Sequence, residues 1–218
     1  MKTAILFLIL IIPAAANCQD QEKKKTDKPH SIGIGIKAGL NFSNVTNVSS
    51  INNSSQTGFH VGAFYSPPSK EKAILGSRTE LIYSRQGYNF TSNTTTGSVN
   101  LQYILLPQLL TINITRFVQL QLGMQIAVLL NAKADSSKQA IPGSSYSKIM
   151  DYYNKFDYSA AGGIEVHPYK GILIGAHYNI GLANLFKTPE MDANDQPSFV
   201  PTVNVKNNVV QIFAGYKF

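Results

Sequence analysis

The stretch GIGIKAG places glycines at Gly33, Gly35 and Gly39, close to the spacing of a dinucleotide-binding fingerprint. That fingerprint works only where its glycines end a strand and open a helix. Here they alternate with Ile34, Ile36 and Ala38 inside one strand, so they read as small residues packing on an interior. His60, His167 and His177 fall on the same strand face and raise a metal hypothesis. His167 lies beside the PYKG turn and His177 several residues up the next strand, so about 13 Å or more separates them at ~3.3 Å per residue, too far to chelate one ion. The remaining chemistry-bearing residues are inward-facing charges: Lys37, Arg78, Glu80, Asp157 and Glu165. Buried charges survive when paired, so these are expected to form a lumen polar network rather than a catalytic site. Ser, His and Asp share the polar face, but no G-x-S-x-G elbow or coherent triad spacing accompanies them, and the chain is read as no enzyme, with no cofactor and no metal.

These side chains need elements to hold them. The chain opens MKTAILFLILIIPAAANCQDQ: a lysine, an apolar run too short to span a bilayer, then small residues. Residues 1–18 read as a secretory signal peptide and 19–30 as a disordered periplasmic tether. Cys18, the single cysteine, either leaves with the signal or carries a lipid, and in neither case does a disulfide staple the fold. The formal charge is +7, or +6 once Lys2 is removed (7 − 1), and much of it sits in the tether at Lys23, Lys24, Lys25 and Lys28. With no basic helix and no aromatic stacking motif, nucleic acid is not an expected partner. Charged residues make up 14% of the chain, against about 25% in an average soluble domain.

From Ser31 to Phe218 the pattern predicts one domain of eight alternating strands bounded by Gly, Pro, Asn and Ser clusters. In FVQLQLGMQIAVLL, Val118, Leu120, Leu122, Met124, Ile126 and Val128 alternate with Gln119, Gln121, Gly123, Gln125 and Ala127. In VNLQYILLPQLL, the same reading sets Val99, Leu101, Tyr103 and Leu105 on the apolar, lipid-facing side and Asn100 and Gln102 toward the lumen. Short turns follow the second, fourth and sixth strands. Long polar segments follow the others, with 43–56, 131–151 and 183–204 as the main extracellular loops and TSNTTTGS after the third strand. That alternation belongs to an eight-stranded antiparallel up-and-down transmembrane β-barrel.

A soluble periplasmic lipocalin-like barrel carrying an apolar ligand shows the same period with its faces exchanged. The membrane reading is preferred because the polar face is rich in Gly, Gln, Ser and Asn rather than Lys and Glu. Aromatics also stand near strand ends on the apolar face, at Phe42, Tyr65, Tyr103, Tyr178, Tyr216 and Phe218. Tyr216 and Phe218, with Gln211 upstream, resemble the C-terminal signal read by the barrel-assembly machinery, although Phe213 stands where that signal has glycine. Arg85 follows Leu81 and Tyr83 onto the lipid face, and is expected either at the outer rim or displaced by a bulge near Ser84.

GIGIKAGLNFS, TGFHVGAFY, ELIYSRQGYNF, the proline of LQYILLPQLL, FDYSAAGGIEV, HYNIGLANL and the final AGYKF together resemble the PorT-like outer-membrane β-barrel proteins of the Bacteroidota. The resemblance implies the cell outer membrane and contact with its lipid. The residues themselves, with long loops on a rigid barrel and no catalytic motif, lead to the expectation of a noncatalytic barrel whose loops serve binding or structural interaction, with an extracellular or secretion-system protein as the open partner class. Most relatives have no assigned molecular activity.

Overall fold

The computed structural model describes residues 33–46, 52–68, 73–92, 95–136, 150, 152–187 and 205–218. The expected signal peptide and tether lie outside them. The strands are β1 (Gly33–Thr46), β2 (Asn52–Ser66), β3 (Leu75–Ser92), β4 (Thr95–Asn113), β5 (Val118–Ser136), β6 (Phe156–Tyr169), β7 (Ile172–Gly181) and β8 (Lys206–Lys217). Each pairs antiparallel with its sequence neighbour, and β1 pairs with β8 to close an eight-stranded barrel. Closure leaves no sheet edge, so every strand's backbone groups have a ladder on both sides.

One end of the barrel carries the short connections. Residues 67–74 join β2 to β3, 114–117 join β4 to β5, and Lys170 and Gly171 join β6 to β7. Gly171 has φ of 79°, a left-handed conformation that this two-residue turn requires and that a side chain disfavours. By the rule that short turns are periplasmic, this is the periplasmic end.

Over the periplasmic part of the barrel the outer wall is apolar. Ile34, Ile36 and Leu40 of β1, Leu120, Leu122, Met124 and Ile126 of β5, and Val210 and Ile212 of β8 are exposed, Ile126 by 55%. Their neighbours Lys37, Asn41, Gln121, Gln125 and Gln211 are buried. A soluble barrel would show the reverse, so the apolar-ligand carrier is set aside.

The wall does not keep that polarity along its length. β3, β4 and β5 contain 18, 19 and 19 residues, whereas about 9–11 tilted residues cross the hydrocarbon. In their distal halves, away from the periplasmic turns, the faces exchange. Val99, Leu101, Tyr103 and Leu105 point inward and are buried, while Asn100 and Gln102 lie on the outer side, which corrects the expectation for β4. Tyr103 is accordingly interior and no part of an aromatic girdle, unlike Phe42, Tyr65, Tyr178, Tyr216 and Phe218, which are exposed. The difference has a physical source: around Tyr103 to Leu110 β4 carries leucines on both faces, Leu106 and Leu110 outward with Gln108 between them and Leu105 and Leu109 inward, so its period does not choose a side.

The expected loops also shrink. Ser43 pairs with Gln56, and Ser92 pairs with Thr95, so most of NVTNVSSINNSSQ and TSNTTTGS is paired strand. Arg85 lies on the outer wall in regular register with Gln102, and its guanidinium donates to Asn100 Oδ1 at 2.8 Å. The irregularity nearby belongs to β2, between Ser55 and His60, rather than to Ser84.

Candidate functional site

The lumen is the candidate site, and it is built in layers. At the periplasmic end a mouth of about 840 Å³ is lined by Arg78, Arg116, Gln119, His167, Lys170 and Lys217 among others. Above it runs a chain of charges. Lys37 Nζ stands 2.6 Å from Glu80 Oε2, and Arg78 Nη1 stands 4.0 Å from Glu80 Oε1. Arg78 donates through Nη1 and Nη2 to the two oxygens of Glu165 at 2.6 and 2.9 Å. His167 Nε2 lies 3.0 Å from Glu165 Oε1. Alternation along β1, β3 and β6 aims Lys37, Glu80, Arg78 and Glu165 inward, and antiparallel register brings them to one height. Two cations face two carboxylates, so the low-dielectric interior holds no net charge in this layer.

Aromatic rings fill the space beside the charges. Lys37 Nζ lies 4.3 Å from the Phe213 ring and Arg78 Cζ 4.4 Å from the Phe64 ring. Phe213 also meets the rings of His177 and His60, at 4.8 and 6.3 Å between centroids. The room for these rings comes from glycine. A Cβ on Gly35 would collide with Phe64, and one on Gly175 would stand 2.6 Å from Phe213 Cζ. A Cβ on Gly39 would collide with the backbone of Ile212 and Phe213. GIGIKAG is therefore a packing motif that makes room for Phe64 and for close approach of the β8 backbone, while Gly175 makes room for the ring of Phe213, which stands where the assembly signal has glycine.

A third layer is made of amides. Asn41 Nδ2 donates to Ser84 Oγ at 2.9 Å and to the Phe59 and Arg85 carbonyls. Asn41 Oδ1 accepts from Gln211 Nε2 at 3.1 Å and pairs with His60 Nδ1 at 2.8 Å. His177 Nε2 meets Gln121 Oε1 at 2.6 Å. The three histidines are thus engaged separately: His60 with Asn41, His177 with Gln121, and His167 with Glu165 near the mouth. No group of three His, Cys, Asp or Glu that could hold a metal exists among the described residues.

Asp157 stands apart from the other inward charges. It opens β6, eight positions from Glu165 on the same strand, which is about 26 Å at ~3.3 Å per residue. Alternation places it on the lumen face and its spacing from Glu165 places it far up the same strand, but its height relative to Lys37, Arg78 and Glu80 depends on register between strands. Gln211 faces the lumen, whereas Tyr216 and Phe218 stand on the outer wall with their rings 5.4 Å apart.

The extracellular end is closed by an apolar cap. Val45, Ile82, Tyr88, Phe90, Leu101 and Leu129 pack with Tyr153, Leu185, Phe186 and Val205 from the connecting segments. Backbone bonds stitch those segments together: Asn154 N to Leu185 O at 3.0 Å, Lys187 N to Tyr152 O at 2.9 Å, and Leu185 N to Val205 O at 2.8 Å. Tyr153 and Tyr88 share a hydroxyl hydrogen bond of 2.8 Å inside the cap. Burial, together with the nearby Tyr88, raises the Tyr153 pKa well above the usual phenol value, so it stays a neutral hydrogen-bonding group. Sequence reasoning missed this cap. Its signal was the run of β4 with leucines on both faces and the length of the strands.

The chain is similar to several solved structures. Neisserial surface protein A (NspA) is 14% identical, covering 85% of this chain and 97% of its own, with a TM-score of 0.51. Ail, the attachment invasion locus protein of Yersinia pestis, is 16% identical over 86% of this chain and 99% of its own, with a TM-score of 0.46. OprG from Pseudomonas aeruginosa is 12% identical over 87% and 97%, at 0.47. No curated protein sequence matches the chain. The model of the outer membrane protein beta-barrel domain matches residues 18–187, most of the chain. With an apolar outer belt, a closed eight-stranded sheet and that match, the chain belongs to the outer membrane protein beta-barrel domain family and is an integral barrel of the outer membrane.

Proposed function

We propose that this barrel is a noncatalytic, sealed scaffold that presents its extracellular segments, chiefly 137–151, since 131–136 is paired strand, and 183–204, to a protein partner outside the cell. The observation that carries this reading is the cap. The segments before β6 and after β7 are bonded to each other and packed into the barrel end through Tyr153, Leu185 and Phe186, so whatever they display is held on a rigid base. A lumen filled by ion pairs, rings and amides suits a support better than a route, since an eight-stranded interior is about wide enough for side chains alone. The quoted sequence motifs favour the PorT-like branch of the Bacteroidota, and the secretion role associated with that branch's founding member is not extended to this chain. Gln211, Tyr216 and Phe218 are proposed as the signal read by the barrel-assembly machinery, with outer-membrane lipid as the standing partner of the apolar belt.

A photo-crosslinking residue placed at Ser145 or Asp195 in intact cells tests the reading, with Ile126 on the lipid-facing wall as the control. Discrete protein adducts at a loop position and none at Ile126 are the expected result. Loop positions that yield no protein adduct would overturn it.

A further inference from the structure

Between the amide layer and the apolar cap lies a small cavity of about 10 Å³, lined by residues that include Tyr103, Gln125, Asp157, Ser159, Asn179 and Asn207. Four of its polar atoms take no hydrogen bond from the protein: Asp157 Oδ1, Asn179 Oδ1, Asn207 Oδ1 and the Tyr103 hydroxyl. All four residues are buried. Asp157 also differs from the other buried carboxylates: Glu80 meets Lys37 and Glu165 meets Arg78, whereas Asp157 has no ion pair among the described residues.

Each of the two asparagines has its amide nitrogen engaged elsewhere. Asn179 Nδ2 donates to Gln211 Oε1 at 3.0 Å and Asn207 Nδ2 donates to Gln86 Oε1 at 2.7 Å. Gln211 is fixed in turn, with Nε2 on Asn41 Oδ1 at 3.1 Å and Asn41 Nδ2 on the Phe59 and Arg85 carbonyls, while Gln86 Nε2 donates to Ser84 Oγ at 2.9 Å. With both amide nitrogens engaged, both amide oxygens are left for the cavity.

We propose that these oxygens form a site for one small, hard monovalent cation of the sodium class. The set supplies one negative charge and otherwise neutral oxygens, with no thiolate or imidazole, which is the donor chemistry of hard cations rather than of transition metals. A monovalent ion leaves the site neutral, whereas a divalent ion leaves an excess positive charge in a poorly solvated place. The volume matches about one water-sized sphere. A water in the same place has only two protons for three acceptors and leaves the carboxylate without a counter-charge. The site does not depend on the proposed display function; it rests on the barrel interior alone.

The test is urea unfolding of the full chain refolded in detergent micelles, followed by far-UV circular dichroism. Sodium chloride is exchanged for choline chloride at constant ionic strength. Above the binding constant, each tenfold rise in sodium should raise the folded-to-unfolded ratio about tenfold, as one bound ion requires. Asp157→Asn should refold and lose the sodium response. A wild-type midpoint equal in sodium and choline overturns the proposal, as does an undiminished response in Asp157→Asn or a response to calcium alone. Should Asp157→Asn fail to refold, the wild-type titration decides by itself, and Tyr103→Phe, which removes a single oxygen, should weaken the response.

Discussion

The periplasmic and extracellular parts of this barrel are built from the same strands with opposite polarity. Near the periplasmic end, Lys37, Glu80, Arg78 and Glu165 are interior and Leu120, Leu122 and Met124 are outside. Near the other end, Val99, Leu101, Tyr88 and Phe90 are interior, while Arg85, Asn100 and Lys133 are on the outer side. The exchange on β3 to β5 marks where lipid gives way to water. Below it the barrel is organised as a membrane protein, and above it as a soluble one with a hydrophobic core. The row Arg85, Gln102 and Asn131, adjacent across β3, β4 and β5, draws the boundary.

That contrast can be broken or sharpened by substitution, reading the heat-modifiable gel band across a urea series. The largest effect is expected from Arg78→Leu, which leaves the buried Glu165 with only His167 beside it and should cost about 3–5 kcal/mol. Removing both charges, with Glu165→Leu added, should recover much of that loss. Next comes Leu101→Ala in the cap, expected to cost about 2–5 kcal/mol as a core truncation; Leu110→Ala on the outer wall should cost less, because lipid or detergent refills the gap. If the two truncations cost the same, the cap is no core. A charge on the outer wall separates the regions further. Leu122→Arg should destabilise by about 2–4 kcal/mol in a bilayer, whereas Gln102→Arg, beyond the boundary, should stay within about 0.5 kcal/mol. The smallest effect is Tyr153→Phe, which removes one buried hydrogen bond and should cost about 1 kcal/mol.

The same contrast explains how much was readable in the residues. β5 from Val118 to Ile126 was legible because its inward residues are glutamines and glycine, so period and polarity agree. β4 was not, because Tyr103 to Leu110 carries leucines on both faces and the polar Asn100 and Gln102 lie where the outer wall is already in water. These strands cross two solvents, so no single polarity rule describes them along their whole length. The pairing of Lys37 with Glu80 needed register as well as face, and register across nonadjacent strands is not written in either segment alone. Asp157 shows the same limit from the other side: its face was legible and its isolation was not. The rings in the lumen left a signal in the residues, a bulky ring in one strand matched by a glycine in a neighbour: Phe213 by Gly175 and Phe64 by Gly35.

The bond from Gln211 to Asn41 joins residues 170 positions apart, across the seam where β8 meets β1. Phe213 sits on one side of that seam and Lys37 on the other. The interior therefore cannot be sealed by any run of hairpins formed in sequence order, however complete. Until the seam zips, the charges and amides of the wall remain open to water and to exchange. Drying of the lumen and circular closure are then a single late event, and the longest chain loop of the molecule must be closed to reach it.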